Sequence, residues 1–292
     1  MMKMTKEREG ELYAFLLSLL ESWFPILTIR AIAYVGAIHT YAYALVVAIL
    51  FFLILSWRHG TLGRLLDKEA RRDLLLTSLF ITLMFLCIYI GLRYTTAGNM
   101  SLIIFTQLFF AYLYFNVLGD ERMDPLHTLG AFSMGVGAMI VLFPEEFGGL
   151  NPGDALILLA AAIAPVANYY QQRARRHVPS ETVLLFRYLF ALPLLLLFAR
   201  LFEPDPDVGK ILSALPWILA SGLLVMGLAK ILWIEALHRL TITKLSAMTA
   251  LIPLFTLLFA YLVLREIPTL RQLLGVPFIV AGGILLTRPE TQ

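Results

Sequence analysis

Residues 91–144 read GLRYTTAGNMSLIIFTQLFFAYLYFNVLGDERMDPLHTLGAFSMGVGAMIVLFP, and residues 236–289 read ALHRLTITKLSAMTALIPLFTLLFAYLVLREIPTLRQLLGVPFIVAGGILLTRP. Laid over each other without a gap, the two stretches share landmarks. Leu92 meets Leu237, Thr96 meets Thr241, Ser101 meets Ser246 and Phe110 meets Phe255. Further on, Glu121 meets Glu266, Gly130 meets Gly275, Gly137 meets Gly282 and Pro144 meets Pro289. Apolar residues coincide easily by chance in so greasy a chain. An acid, two glycines and a closing proline at fixed spacing do not. The chain is internally duplicated, and that sets its architecture.

The solvent follows from composition. The chain has 292 residues, of which 60% are hydrophobic and 15% charged. Soluble domains carry about 25% charged residues, so the composition points to the bilayer. About 20 apolar residues cross the hydrocarbon core as a helix. Such segments follow one another at 11–30, 38–57, 73–92, 98–118, 126–143, 153–172, 181–202, 211–235, 241–264 and 270–287. The expected fold is all-α and integral to the membrane, with ten transmembrane helices. The expected organisation is a tail over 1–10, a five-helix repeat over 11–144, a connecting loop over 145–152 and a second five-helix repeat over 153–289. The polar start MMKMTKEREGE runs into a full-length apolar segment, unlike a cleavable signal peptide. The single Cys87 lies in an apolar run and reads as a small buried residue.

Orientation is read from lysine and arginine. With the N-terminus inside, the outer segments hold Arg30, Arg93, Arg200, Lys210, Arg265 and Arg271. Arg187 and Lys230 lie within spans, and the remaining cations fall on inner segments. Both termini are expected in the cytoplasm, in a multi-pass protein of the cell (inner) membrane. Five spans per repeat is odd, so the second copy must be inverted relative to the first. Inverted repeats with a site between the halves are the architecture of secondary carriers. Read through either copy, one fold supplies two shapes of similar energy, open to opposite sides.

The order of motifs resembles the drug/metabolite transporter superfamily, in its EamA-like family. The first copy carries Leu92-Arg93-Tyr94, Thr106-Gln107, Glu121, Gly130 and Gly137. The second carries Leu237-His238-Arg239, Ile252-Pro253, Glu266, Gly275 and Gly282-Gly283. Phe186-Arg187-Tyr188-Leu189-Phe190-Ala191 is similar to that family's Arg-aromatic-x-x-Ala helix. The resemblance implies a ten-helix carrier of small metabolites, with spans 1–4 and 6–9 lining the cavity and spans 5 and 10 outside. The first copy has Tyr43 about where the second has Arg187, so the substrate site is not chemically symmetric.

Polar residues inside spans are the candidate substrate contacts, because an ionisable group at bilayer depth costs about 2.5–3.5 kcal/mol on the insertion scale. Glu21 stands mid-way along span 1, in LLESWFPIL, and is the candidate for proton coupling. Pro25, one turn on, frees a backbone carbonyl and bends the helix there. The bland alternative is a structural ion pair. Arg187 can hold a substrate carboxylate, pair with Glu21, or snorkel to the inner surface. Lys230 lies deep in span 8, whereas Glu235 can reach Arg239 one turn on. Asn99, Gln107 and Asn168 place amides in spans 4 and 6, as ligands or as interhelical glue. Trp23, Tyr43, Tyr89 and Trp233 are wall candidates, or interfacial anchors. Glu121 and Glu266, beside Arg122 and Arg265, read as ion pairs at helix ends. The glycines of spans 5 and 10 permit close packing.

No HExxH, GxSxG, Walker A or dinucleotide pattern occurs, so the chain is not expected to be an enzyme or to bind a cofactor or a metal ion. No basic tract suits nucleic acid. The expected partners are a small-molecule substrate and the lipid bilayer, with the chain as monomer or homodimer. The expected function is secondary, non-ATP transport of small polar or amphipathic metabolites, amino acids or amine-bearing compounds foremost, by alternating access. A flippase for a lipid-linked sugar or other amphiphile is the rival on the same fold; a non-transporting membrane scaffold is the rival of another class.

Overall fold

A computed structural model describes residues 5–114, 125–142, 151–237, 239–240, 245 and 248–286. Among them there is no β-strand. Seven helical segments are long and apolar enough to cross a membrane, and three shorter apolar ones stand where the remaining spans are expected.

Span 1 is two helices, α1 (Lys6–Ser22) and α2 (Phe24–Val35), broken at Trp23. Pro25 explains the break: its ring nitrogen carries no hydrogen, so the carbonyl of Glu21 loses its donor one turn on. Spans 2 and 3 are α3 (Ala37–Arg58) and α4 (Arg71–Gly91). Span 4 is α5 (Ala97–Phe105) and α6 (Gln107–Tyr112), broken at Thr106. Span 5 is α7 (Pro125–Leu142). Spans 6 and 7 are α8 (Pro152–Ala174) and α9 (Ser180–Phe202). Span 8 is α10 (Val208–Ala220), a π-helical stretch over Ser221–Leu228, and α11 (Ala229–Leu237). Span 9 contains α12 (Ile252–Phe259) and a π-helical end over Ala260–Leu264, and span 10 is α13 (Leu270–Leu286).

The two copies break at the same place. The register that sets Phe110 against Phe255 also sets Thr106 against Leu251, the residue that caps the start of α12. The copies are inverted. Spans 2 and 7 are the same element of the two copies, and they pack antiparallel. The start of α3 meets Glu203 just past α9, while His59 just past α3 meets Glu181 at the start of α9. Spans 5 and 10 also pack antiparallel, Gly130 against Gly282 and Leu285, Gly137 against Ile279. Between the copies, span 3 packs on span 6 as span 8 packs on span 1, and span 3 on span 7 as span 8 on span 2.

Small residues make these approaches possible. A Cβ on Gly130 would stand 2.9 Å from the carbonyl oxygen of Gly282, so the pair of spans 5 and 10 closes only around glycine. The face of α8 toward α4 is alanine: Ala160, Ala164 and Ala167 are all fully buried. Thr77 crosses that seam, its hydroxyl donating to the Ala167 carbonyl at 3.1 Å. The outer perimeter exposes Leu50, Ile54, Phe132, Leu201 and many other large apolar side chains, as a surface against lipid must. Glu121 and Arg122 lie outside the described residues. Glu266 departs from the expected pairing with Arg265: its carboxylate accepts the Ala97 amide of α5 at 3.0 Å. The first amides of a helix have no partner within it, and a carboxylate meets that need as well as the positive end of the dipole.

Candidate functional site

The break at Trp23 turns Glu21 toward span 8. Its Oε1 accepts from Lys230 Nζ at 2.5 Å. Lys230 lies two residues past the π-helical stretch, whose wider turn rotates the helix after it; such stretches gather at functional positions. Glu21 comes from the first copy and Lys230 from the second, so the ion pair ties the two repeats together near the middle of span 1. Both side chains are about a quarter exposed, 21% and 27%.

Arg187 faces the same cavity and is buried, 4% exposed. It does not snorkel, and no carboxylate lies within ion-pair distance of it among the described residues. Its Nη1 donates to the Gln171 side-chain oxygen at 3.0 Å and its Nη2 to the Tyr188 hydroxyl at 3.2 Å. The guanidinium also sits 4.9 Å from the centre of the Tyr188 ring. Tyr188 in turn donates to the carbonyl of Met226, in the π-helical stretch, at 3.0 Å. Arg187 Nε is buried and has no hydrogen-bond partner.

Aromatic rings complete the wall. Phe24, Tyr41, Phe85 and Tyr188 line the cavity with Val225 and Met226. Tyr41 stacks on Tyr89, ring centres 4.6 Å apart, and Tyr89 meets Phe24 edge-on at 5.7 Å. The enclosed volume is about 20 Å³, room for one water molecule. This conformation therefore leaves no room for a metabolite beside its charged groups.

A buried cation without an anion, an ion pair between copies and an aromatic wall all converge where two inverted repeats meet. A model of the EamA-like transporter family matches residues 8–143 and again residues 151–288. The chain belongs to the EamA-like transporter family. It is a multi-pass membrane transporter. A Bacillus subtilis (strain 168) protein named uncharacterized transporter YoaV is 24% identical over 245 residues, 82% of this chain and 83% of that protein. An uncharacterized transporter of Archaeoglobus fulgidus is 26% identical over 222 residues, 73% of this chain and 74% of that protein. A solved crystal structure shares the fold with a TM-score of 0.66 at 21% identity, covering 96% of this chain and 97% of its own.

In this EamA-like transporter the cavity is lined by spans 1, 2, 3, 7 and 8, whereas the family resemblance implies spans 4, 6 and 9 as well. Of the residues singled out in the sequence, Glu21, Arg187 and Lys230 come together at the cavity, and Tyr89 stands one ring behind Tyr41. Trp23 sits at the span 1 break, stacked on Phe259 at 4.8 Å. The other five lie elsewhere. Tyr43 packs with Ala214 and Ile218 of span 8, on the far side of span 2. Asn99 joins a polar knot at the end of span 4, donating to Asp154 at 3.0 Å and accepting from Gln272 at 2.7 Å. Gln107 is half-buried beside the Thr106 break, and Asn168 and Trp233 are exposed. Phe24, Tyr41 and Phe85 are not among the wall candidates because a lipid-facing and a cavity-facing aromatic look alike in sequence, and Met226 looks like any other apolar residue of span 8. Tyr188 had a signal, its place beside the one buried arginine of span 7.

Proposed function

We propose that this EamA-like transporter is a secondary carrier of small polar or amphipathic metabolites, amino acids or amine-bearing compounds foremost, working by alternating access. One observation carries the reading: Glu21 of the first repeat holds Lys230 of the second, in a cavity lined also by Arg187 and a cluster of aromatic rings. Charges so placed cost several kcal/mol to bury without partners. They are tolerable in a wall that opens to water and receives a charged ligand. A substrate ammonium competes with Lys230 for Glu21, and protonation of Glu21 releases either. That competition couples proton movement to substrate movement without ATP.

The excess of lysine and arginine on the inner segments supports an inner-membrane protein with both termini in the cytoplasm. The Gly36 end of the bundle then faces outward and the His59 end inward. The test is flux in proteoliposomes for the parent and for Glu21→Gln, across a pH range. The expected result is slower flux with a flattened pH profile in the variant. Unchanged flux together with an unchanged profile rejects coupling through Glu21.

A further inference from the structure

We infer that the substrate of this cavity carries a carboxylate, and that Arg187 is the residue that anchors it. The inference rests on the carrier reading above and narrows it: amino acids and other carboxylate-bearing molecules remain, and plain amines drop out.

Three charged groups face the cavity: Arg187, Lys230 and Glu21. Lys230 and Glu21 answer each other. Arg187 is answered only by neutral groups, the Gln171 amide oxygen and the Tyr188 hydroxyl and ring. A guanidinium presents five donors in a flat fork, and here two are used while the buried Nε is idle. Buried charges in proteins are ordinarily paired or bonded to the limit of their donors. Arginine is the side chain whose fork matches the two oxygens of a carboxylate.

Charge arithmetic points the same way. Two cations against one anion leave the cavity with one unmatched positive charge. A carboxylate without an amine cancels it, and an amino-acid zwitterion leaves it no larger. An amine without a carboxylate adds a second unmatched cation in a low-dielectric wall. The surrounding Phe24, Tyr41 and Phe85 rings suit an apolar or aromatic body on that carboxylate, with its head toward Tyr188.

Matched compounds on the intact protein test this. Thermal stabilisation and counterflow are measured for L-phenylalanine, L-phenylalaninamide and phenethylamine, and for L-leucine, L-leucinamide and isoamylamine. 3-Phenylpropanoate is paired with 3-phenylpropanamide, and a panel of the remaining amino acids, nucleosides and sugar phosphates runs beside them. The expected result is that hits carry a carboxylate, and that their amides and decarboxylated partners bind at least about tenfold more weakly, a lost charged hydrogen bond or more. Arg187→Gln is expected to lose the acids by a similar factor, and Arg187→Lys to recover part of the loss. Amides or amines that bind as well as the acids overturn the inference and leave the carrier reading standing. So do hits confined to compounds without a carboxylate, or acids that bind Arg187→Gln undiminished. If no compound of the whole panel stabilises the protein or exchanges across the membrane, the carrier reading falls and takes this inference with it. Should Arg187→Gln fail to fold, the matched acids, amides and amines on the parent protein still decide.

Discussion

Replacing Glu203 by glutamine tests whether one buried carboxylate locks one end of the bundle. Glu203 lies just past span 7 and reaches across to the first turn of span 2. Its Oε1 accepts the Ala37 amide at 2.8 Å, and its Oε2 accepts the His39 amide at 3.1 Å and faces His39 Nδ1 at 3.0 Å. The Ile38 amide lies between the two oxygens, at 3.2 and 3.1 Å. Glutamine keeps the shape and one of these oxygens. Wherever the amide settles, its NH₂ meets donors, and at least one buried backbone amide is orphaned. An orphaned donor costs about 1–3 kcal/mol. Losing the negative charge at a partly buried helix start adds roughly 1–2 kcal/mol. The sum is about 2–5 kcal/mol. The same register that sets Tyr43 against Arg187 sets His59 against Glu203 and Ala37 against Glu181, so the His59–Glu181 contact at the opposite end is the equivalent latch. That latch is one exposed pair at 3.3 Å, of the kind that contributes about 0–1 kcal/mol. Glu203→Gln should therefore lower the melting temperature by several degrees, at roughly 2–4 °C per kcal/mol, whereas His59→Gln should barely move it. It should also raise the labelling rate of a cysteine placed at Ile38, in a Cys87→Ser background, because the end of span 2 comes free. A melting temperature within about 1 °C of the parent, with unchanged labelling, refutes the argument that Glu203 holds this end shut.

Gly36→Ala should cost about 1–3 kcal/mol in backbone strain alone, since its φ of 88° and ψ of 169° suit essentially only glycine, and the new Cβ stands 2.7 Å from a Glu203 oxygen; thermal unfolding that matches the parent sinks this. Glu21→Gln and Lys230→Met should each destabilise by leaving a charge unpaired, and the double variant should recover about 0.5–3 kcal/mol of their sum; strictly additive melting shifts mean the two do not act as a pair. Glu266 is held above its ordinary range by burial, against the opposing pull of the Ala97 and Gly98 amides. Its folded form binds the proton more tightly than its unfolded form, so its contribution favours folding at low pH and is lost as pH rises from about 4.5 through the raised value. The parent should gain thermal stability on acidification through that window relative to Glu266→Gln, and equal slopes for the two count against the assignment.

The fold was largely legible in the sequence because membrane burial leaves only a few solutions. Every backbone group in lipid must be satisfied within its own segment, so long apolar runs become helices, and an odd number of them per repeat forces inversion. The three charges at the cavity were legible for the same reason: Glu21, Arg187 and Lys230 stand where charge is expensive. The amides were not. Gln107 lies at comparable depth in sequence and Asn99 at the start of its span, yet an amide is satisfied by any neighbour, and Asn99 found Asp154 and Gln272 at the rim instead of a cavity. Tyr43 and Trp233 show a similar limit, because an aromatic ring pays little to face lipid, cavity or another helix.

Glu203 was the residue most open to discovery and the one passed over. In EPDPDVGK it reads as one of three turn acids, and turn acids are usually solvated. Two signals marked it as different. The glycine before Ala37 leaves room at the start of span 2 where nearly any other residue would intrude. The repeat register, once Tyr43 is set against Arg187, also makes Glu203 just past span 7 the counterpart of His59 just past span 2. An internal duplication thus carries more than topology: each contact between equivalent elements has a counterpart at the opposite face. The difference in chemistry between the two counterparts shows which face is bound more tightly. Here it is a buried carboxylate against an exposed histidine pair, and the Gly36 end is the one bound more tightly.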